Sequence, residues 1–187
     1  MGADLTIALP SGDVWTWEDL QAVPDEAYHY FQLIEGQILM SPSPNRRHQT
    51  CVVRLVVALE RVVPPELELL VAPFDFVPEP MTSLQPDLVI LRRGTAEANR
   101  TVVAPVLAIE VLSPSTRTFD LTAKRALYER FGVAHYWIVD PDGPTVLALT
   151  LDADGRYVES AAVSGTDAFE TAEPFAVELA PAELVTD

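Results

Sequence analysis

Two runs near the middle of the chain are apolar almost throughout, and each carries one acid. Asp87-Leu88-Val89-Ile90-Leu91 follows Gln85-Pro86, and Val106-Leu107-Ala108-Ile109-Glu110-Val111-Leu112 follows Pro105. Runs this short without polar alternation predict strands covered on both faces. Ala134 to Val139 predicts a third strand, stopped by the turn cluster Asp140-Pro141-Asp142-Gly143-Pro144. Between the second and third strands a helix is expected from Asp120, as N-cap, to about Phe131, closed by Gly132. An earlier helix is expected from Ser43, with Pro44 at its first position, to about Val63. Val52, Leu55, Val56, Leu59 and Val63 recur at helical spacing and form its inner face, and Pro64-Pro65 stops it.

The flanking segments are shorter. Thr16 to Leu20 predicts a helical turn with Thr16 as cap and Asp19 completing a capping box. Tyr30 to Leu33 and Gln37 to Met40 predict a hairpin turning at Glu35-Gly36, broken afterwards by Ser41-Pro42-Ser43-Pro44. Glu68 to Val71 and Phe74 to Val77 are strand-like around Pro73, and Arg92 to Thr101 is a polar connection with room for a short helix. Thr145 to Leu151 and Arg156 to Val163 are expected to pair across Asp152-Ala153-Asp154-Gly155. Strands interleaved with helices in this way give an α+β or α/β class with a mixed sheet. A chain of 187 residues, 49% hydrophobic, fits one domain with a sizeable core, residues 1–14 and 166–187 being peripheral.

Composition narrows the function classes. No apolar stretch approaches the length of a bilayer span, and Met1-Gly2-Ala3-Asp4 opens no signal peptide, so a cytoplasmic protein is expected. Cys51, the sole cysteine, lies in a helical apolar pattern and is expected to be a buried thiol. The net charge of −16 opposes strong unaided binding to nucleic acid. The charge is uneven, however. Residues 1–130 hold 17 acids and 11 bases, whereas residues 131–187 hold 11 acids and only Arg156. The less hostile half for a polyanion contains both apolar runs with their acids.

Glu110 is the position hardest to account for by packing. A carboxylate inside such a run costs several kcal/mol unless it is partnered. The partner is either an arginine or a hard cation such as Mg²⁺. Lys124 is the only lysine beside eleven arginines. A lysine, unlike an arginine, can exchange a proton near neutral pH. It stands four residues after Asp120 and shares its helix face, so it serves either as that residue's ion-pair partner or beside a metal-bound water. His29, His48 and His135 are too scattered to predict a zinc site, and no glycine-rich phosphate loop is present.

Pro86-Asp87, Ile109-Glu110-Val111-Leu112-Ser113-Pro114-Ser115-Thr116, Asp120, Lys124, Tyr128, Gly132-Val133 and Tyr136-Trp137-Ile138-Val139-Asp140-Pro141 together resemble the Uma family of restriction-endonuclease-like proteins, within the PD-(D/E)XK nuclease superfamily. The resemblance runs from about Tyr30 to Leu149. It implies a restriction-endonuclease-like fold, a central mixed sheet flanked by helices. It also implies Asp87 and Glu110 as ligands of Mg²⁺ or Mn²⁺, with the backbone carbonyl of Val111 as a further ligand. Lys124 takes the catalytic lysine's role from the following helix, because Leu112 stands where the superfamily pattern places lysine. Gln32 stands where the family often has glutamate, which weakens a second metal site, and Glu35 reads as a turn residue. His48 matches a histidine of the family and receives no role here.

Two functions follow from this reading. One is a Mg²⁺-dependent endonuclease acting on DNA. The other is a non-catalytic module on the same scaffold, working through protein contacts, including a homodimer.

Overall fold

The computed structural model describes residues 14–23, 31–40 and 43–185. The lead-in expected over 1–14 (Val14 apart), Tyr30 and the Ser41-Pro42 break lie outside them. Two larger sheets, a two-stranded one and two long helices build most of the described molecule. The larger sheet has six strands: β3 (Leu67–Val71), β6 (Leu88–Arg92), β8 (Leu107–Val111), β9 (His135–Asp140), β10 (Thr145–Leu151) and β11 (Tyr157–Ser164), in the order β11-β10-β9-β8-β6-β3. Only β8 and β9 run parallel, and the other neighbours are antiparallel, so the sheet is mixed as expected.

Helix α2 (Arg46–Leu59) covers one face of this sheet. It starts later than Ser43 because the carboxamide of Asn45 accepts the His48 N–H at 2.9 Å. It buries His48, Cys51, Leu55 and Leu59. Of the expected inner face, Leu55 and Leu59 are buried, and Val52, Val56 and Val63 pack partly buried against the core. On that face Leu107, Ile109, Val111, Trp137 and Val139 meet the helix.

The other face carries a second helix, α3. It is continuous through Arg117–Phe119 (α), Asp120–Lys124 (π) and Arg125–Arg130 (α), and Gly132 closes it at φ +75°. Its start differs from the expected cap at Asp120. Ser113 anchors the entry, accepting the Thr116 and Arg117 N–H groups on its carbonyl, and Asp120 lies inside the helix, buried. Leu127 and Tyr128 of α3 pack with Ala108, Leu112, Tyr136, Ile138, Leu149 and Tyr157. The crossover from β8 through α3 to β9 is what lets two adjacent strands run parallel.

The smaller sheet has the order β2-β1-β5-β4-β7, from β1 (Phe31–Ile34), β2 (Gln37–Met40), β4 (Asp75–Glu79), β5 (Thr82–Leu84) and β7 (Arg100–Thr101). The expected hairpin is present, with Glu35 at φ 48° and Gly36 at φ 82°. Two positive φ values in succession are what a tight hairpin turn requires. Helix α1 (Trp17–Gln21) has the expected capping box between Thr16 and Asp19. The stretch 92–101 forms a turn and β7 rather than a helix, and β5 had no counterpart in the sequence reading.

The C-terminal segment is less peripheral than its acidity suggests. Strands β12 (Phe169–Thr171) and β13 (Val177–Leu179) pair, and Phe169, Phe175, Val177, Leu179 and Leu184 join the α2-side core. Phe169 meets Trp137 edge-on at 5.0 Å between ring centroids. Alternation of apolar with acidic residues lets this tail bury one side and leave its charges in water.

Candidate active site

The site forms at one rim of the six-stranded sheet. In the β6–β8 register Leu88 faces Ile109, Val89 faces Ala108 and Ile90 faces Leu107. Asp87 is the bend residue just before β6 and Glu110 is the next residue of β8 after the last pair, so both lie at the same rim. The Asp87 main chain is fixed by the Ala72 N–H, which donates to its carbonyl at 3.1 Å. The Asp87 side chain turns along the rim. Its Oδ2 accepts the Val111 N–H at 2.8 Å and lies 3.1 Å from His48 Nε2. A strand residue presents its N–H and C=O toward the same edge, so the Val111 carbonyl also faces the Asp87 side.

Glu110 lies on the α3 face of β8 and is only 2% exposed. Its Oε1 receives two donors, Lys124 Nζ at 2.7 Å and the Tyr128 hydroxyl at 2.8 Å. Lys124 is itself buried. Its ammonium also lies 3.4 Å from Asp120 Oδ1 and 3.5 Å from the Gln85 carbonyl, so it faces three oxygens with three N–H donors. The partner of Glu110 is thus the lone lysine rather than an arginine. Lys124 serves Glu110 and Asp120 together, not Asp120 alone.

The pocket holds more acid than base. Burial pushes the Glu110 carboxyl up to about 8; Lys124 pulls it down, and Asp120 and Asp87 push it further up. Burial opposes the charge of Lys124, but Glu110, Asp120 and Asp87 outweigh it and hold the ammonium above its ordinary value. Burial and the neighbouring carboxylates likewise keep the Tyr128 hydroxyl protonated well past its usual range, so it remains a donor. Asp120 Oδ1 is buried without a hydrogen bond. In a buried cluster of this kind a further cation would offset the surplus negative charge.

The donor chemistry fits a hard divalent ion. Among the described residues no three histidine, cysteine, aspartate or glutamate side chains cluster so as to hold a metal. Asp87, Glu110 and the Val111 carbonyl offer an all-oxygen set with two carboxylates, the kind of partial shell that Mg²⁺ completes with water.

Three neighbours of these acids do more than their place in the sequence announces. His48 was given no role, yet it touches Asp87; its place one turn before the buried Cys51 and Leu55 was the available signal. Tyr128 follows Lys124 by four residues, as Lys124 follows Asp120, so one helical stripe carries all three. Asp120 reads as a cap by residue type, but its carbonyl accepts the Tyr136 hydroxyl at 3.0 Å and its carboxylate faces Lys124. Gln32 is buried beside the site, its Oε1 accepting the Gln85 N–H at 3.1 Å. Glu35 sits in its turn and pairs with Arg130 at 2.8 Å, away from this rim's acids. Cys51 is buried, and burial raises its thiol to about 12, which leaves it inert as a nucleophile.

Comparison with known proteins decides the family. The sequence model of the Uma2 family, described as "Putative restriction endonuclease", matches residues 17–182. This chain belongs to the Uma2 family. The fold of this Uma2 protein is similar to that in a crystal structure described as a putative nuclease belonging to DUF820, from Anabaena variabilis ATCC 29413. The TM-score is 0.74 at 22% identity, over 91% of this chain and 97% of the other. That likeness supports the nuclease-like arrangement of mixed sheets and helices. A search of curated protein sequences returns no match. Among the described residues, no helix is long and apolar enough to cross a membrane.

Proposed function

We propose that this Uma2 protein is a divalent-metal-dependent endonuclease hydrolysing DNA phosphodiester bonds. The observation that carries the reading is the meeting, at one sheet rim, of Asp87, Glu110 and the buried ammonium of Lys124. Asp87, Glu110 and the Val111 carbonyl would hold Mg²⁺ or Mn²⁺. When bound there, the metal supplies a Lewis acid for a phosphoryl oxygen and a more acidic water. The remaining work falls to the chain. Lys124 carries a fixed positive charge on Nζ, placed to orient a water or to meet charge developing on the phosphate. Its short contact with Glu110 sets that ammonium against the acid on which the metal would rest.

The rim also suits a polyanion. The first turn of α2 and the start of α3 both lie there, linked to the end of β9. Arg47 Nε donates to the Pro141 carbonyl at 2.9 Å, and Arg117 pairs with Asp140. Helix N-termini and arginines recognise phosphate by the same electrostatics. The overall charge of −16 makes unaided affinity for DNA weak and salt-sensitive.

The test is cleavage of varied DNA substrates with Mg²⁺ or Mn²⁺. The wild type should cut, and Glu110→Gln should lose cleavage while keeping a cooperative thermal transition. Cleavage by Glu110→Gln at the wild-type rate would remove the assignment. A wild type that neither cuts nor binds either metal would favour the scaffold reading, an assembly module acting through protein contacts.

A further inference from the structure

The two acids of the rim are held in the same manner from opposite sides of the sheet. On Asp87 both recorded hydrogen bonds fall on Oδ2, from the Val111 N–H at 2.8 Å and His48 at 3.1 Å. On Glu110 both fall on Oε1, from Lys124 at 2.7 Å and Tyr128 at 2.8 Å. Among the described residues, no hydrogen bond falls on Asp87 Oδ1 or Glu110 Oε2. His48 comes from α2 on one face and Tyr128 from α3 on the other, so each of the two helices between which the sheet is packed reaches one of the acids.

We infer that His48 and Tyr128 are positioning residues, each fixing one oxygen of a carboxylate so that the other is presented to a divalent cation. This rests on the metal reading given above. A carboxylate free to rotate offers either oxygen in many directions, and ordering it on binding costs entropy. A second donor on one oxygen removes that freedom beforehand, as groups behind the ligands of metal centres generally do. Burial makes the arrangement rigid. Tyr128 is fully buried, its ring tilted against that of Tyr136 at 5.0 Å between centroids, and His48 is 8% exposed. His48 Nδ1 is buried with no partner, so the tautomer with its proton on Nε2, aimed at Asp87, is the one that leaves no orphaned donor.

The experiment is Mn²⁺ binding to the full chain, followed by electron paramagnetic resonance and calorimetry, with no DNA present. Tyr128→Phe removes only the hydroxyl. His48→Leu removes the donor, and His48→Gln keeps an N–H able to reach Asp87. Tyr128→Phe and His48→Leu should each weaken Mn²⁺ binding about 10- to 100-fold, the range for loss of a group supporting a metal ligand. His48→Gln should recover most of the affinity, which a purely structural role would not produce. Thermal melts establish that each variant is folded. Should Tyr128→Phe prove unfolded, the His48→Leu and His48→Gln pair still decides the matter. Wild-type Mn²⁺ binding with unchanged affinity in the folded variants overturns this inference alone. A wild type that binds no Mn²⁺ overturns the metal reading and this inference with it.

Discussion

Two of the acid–base pairs that helix α3 makes with neighbouring strands differ in almost everything but chemistry. Near its start Arg117 pairs with Asp140 at the end of β9, and the arginine side chain is 49% exposed. Two turns later Lys124 pairs with Glu110 on β8, and both side chains are at most 4% exposed. Burial pushes the Asp140 carboxyl up, but Arg117 and the N–H groups of Asp142 and Gly143 more than offset it, and the group ends below its ordinary value. For Glu110 burial prevails and the group ends at about 8. Water decides the outcome. At the rim it solvates both ions and leaves the hydrogen bonds as a surplus, whereas in the interior its absence costs more than one ammonium returns. The exposed pair is a local fastening. The buried cluster stores unfavourable charge that folding alone does not relieve, a common property of sites built for a ligand.

The comparison breaks most sharply at the lysine. Lys124→Met keeps most of the length of the side chain but removes the charge, leaving Glu110 and Asp120 without their cation. Stability should fall by about 3–5 kcal/mol, the usual cost of removing one member of a buried pair, read from urea unfolding at neutral pH. A loss under about 1 kcal/mol, the ceiling for exposed pairs, would mean the buried cluster is no different from the surface one.

The pH dependence sharpens the contrast by sign. Glu110 has a folded value raised above its ordinary 4.5, so its contribution is complete below about 4.5 and is lost as the pH rises toward about 8. Metal-free wild type should therefore lose stability across that window relative to Glu110→Gln, and Mn²⁺ should reduce the loss. Asp140 has a lowered value, so its contribution is present above the unfolded value of about 3.8 and is lost as pH falls through the folded one. Asp140→Asn should flatten only the acid limb. Urea midpoints from pH 3 to 9 separate the two, and parallel profiles for all three proteins would sink the assignment.

The smallest effect is expected at the exposed pair. Arg117→Ala should cost about 0–1 kcal/mol, and less in high salt, because solvent and ions screen a half-exposed partner. A loss comparable to that of Lys124→Met would show that Arg117 anchors the start of α3 as well as balancing a charge.

How much of this was legible differs from residue to residue. The uninterrupted apolar runs around Asp87 and Glu110 announced paired strands, and β6 and β8 carry them side by side. An acid within such a run demanded a partner, and the scarcity of lysine pointed to Lys124. The same local reasoning misplaced Asp120, because capping preference describes an isolated helix end, whereas Tyr136 reaches its carbonyl only after β9 has packed beneath α3. It also gave no weight to His48, whose partner is 39 residues away in sequence. The tail was misjudged for a related reason. Its acids dominate the composition, while Phe169 and Phe175 have their packing surface on a distant helix and strand.

The sequence by itself determined which segments become strands and helices, where the turns fall and which acid could not be left alone in the core. These follow from periodicity, turn residues and the cost of burying charge, all of which act over a few residues. Only the tertiary structure decided that Asp87 and Glu110 share one rim, that Lys124, Tyr128 and His48 complete their surroundings, and that of Glu110 and Asp140, both paired with α3, one is pushed up while the other is held down. Those outcomes depend on strand register, on which helix covers which face and on how much water remains, and none of these is a property of neighbouring residues in the chain.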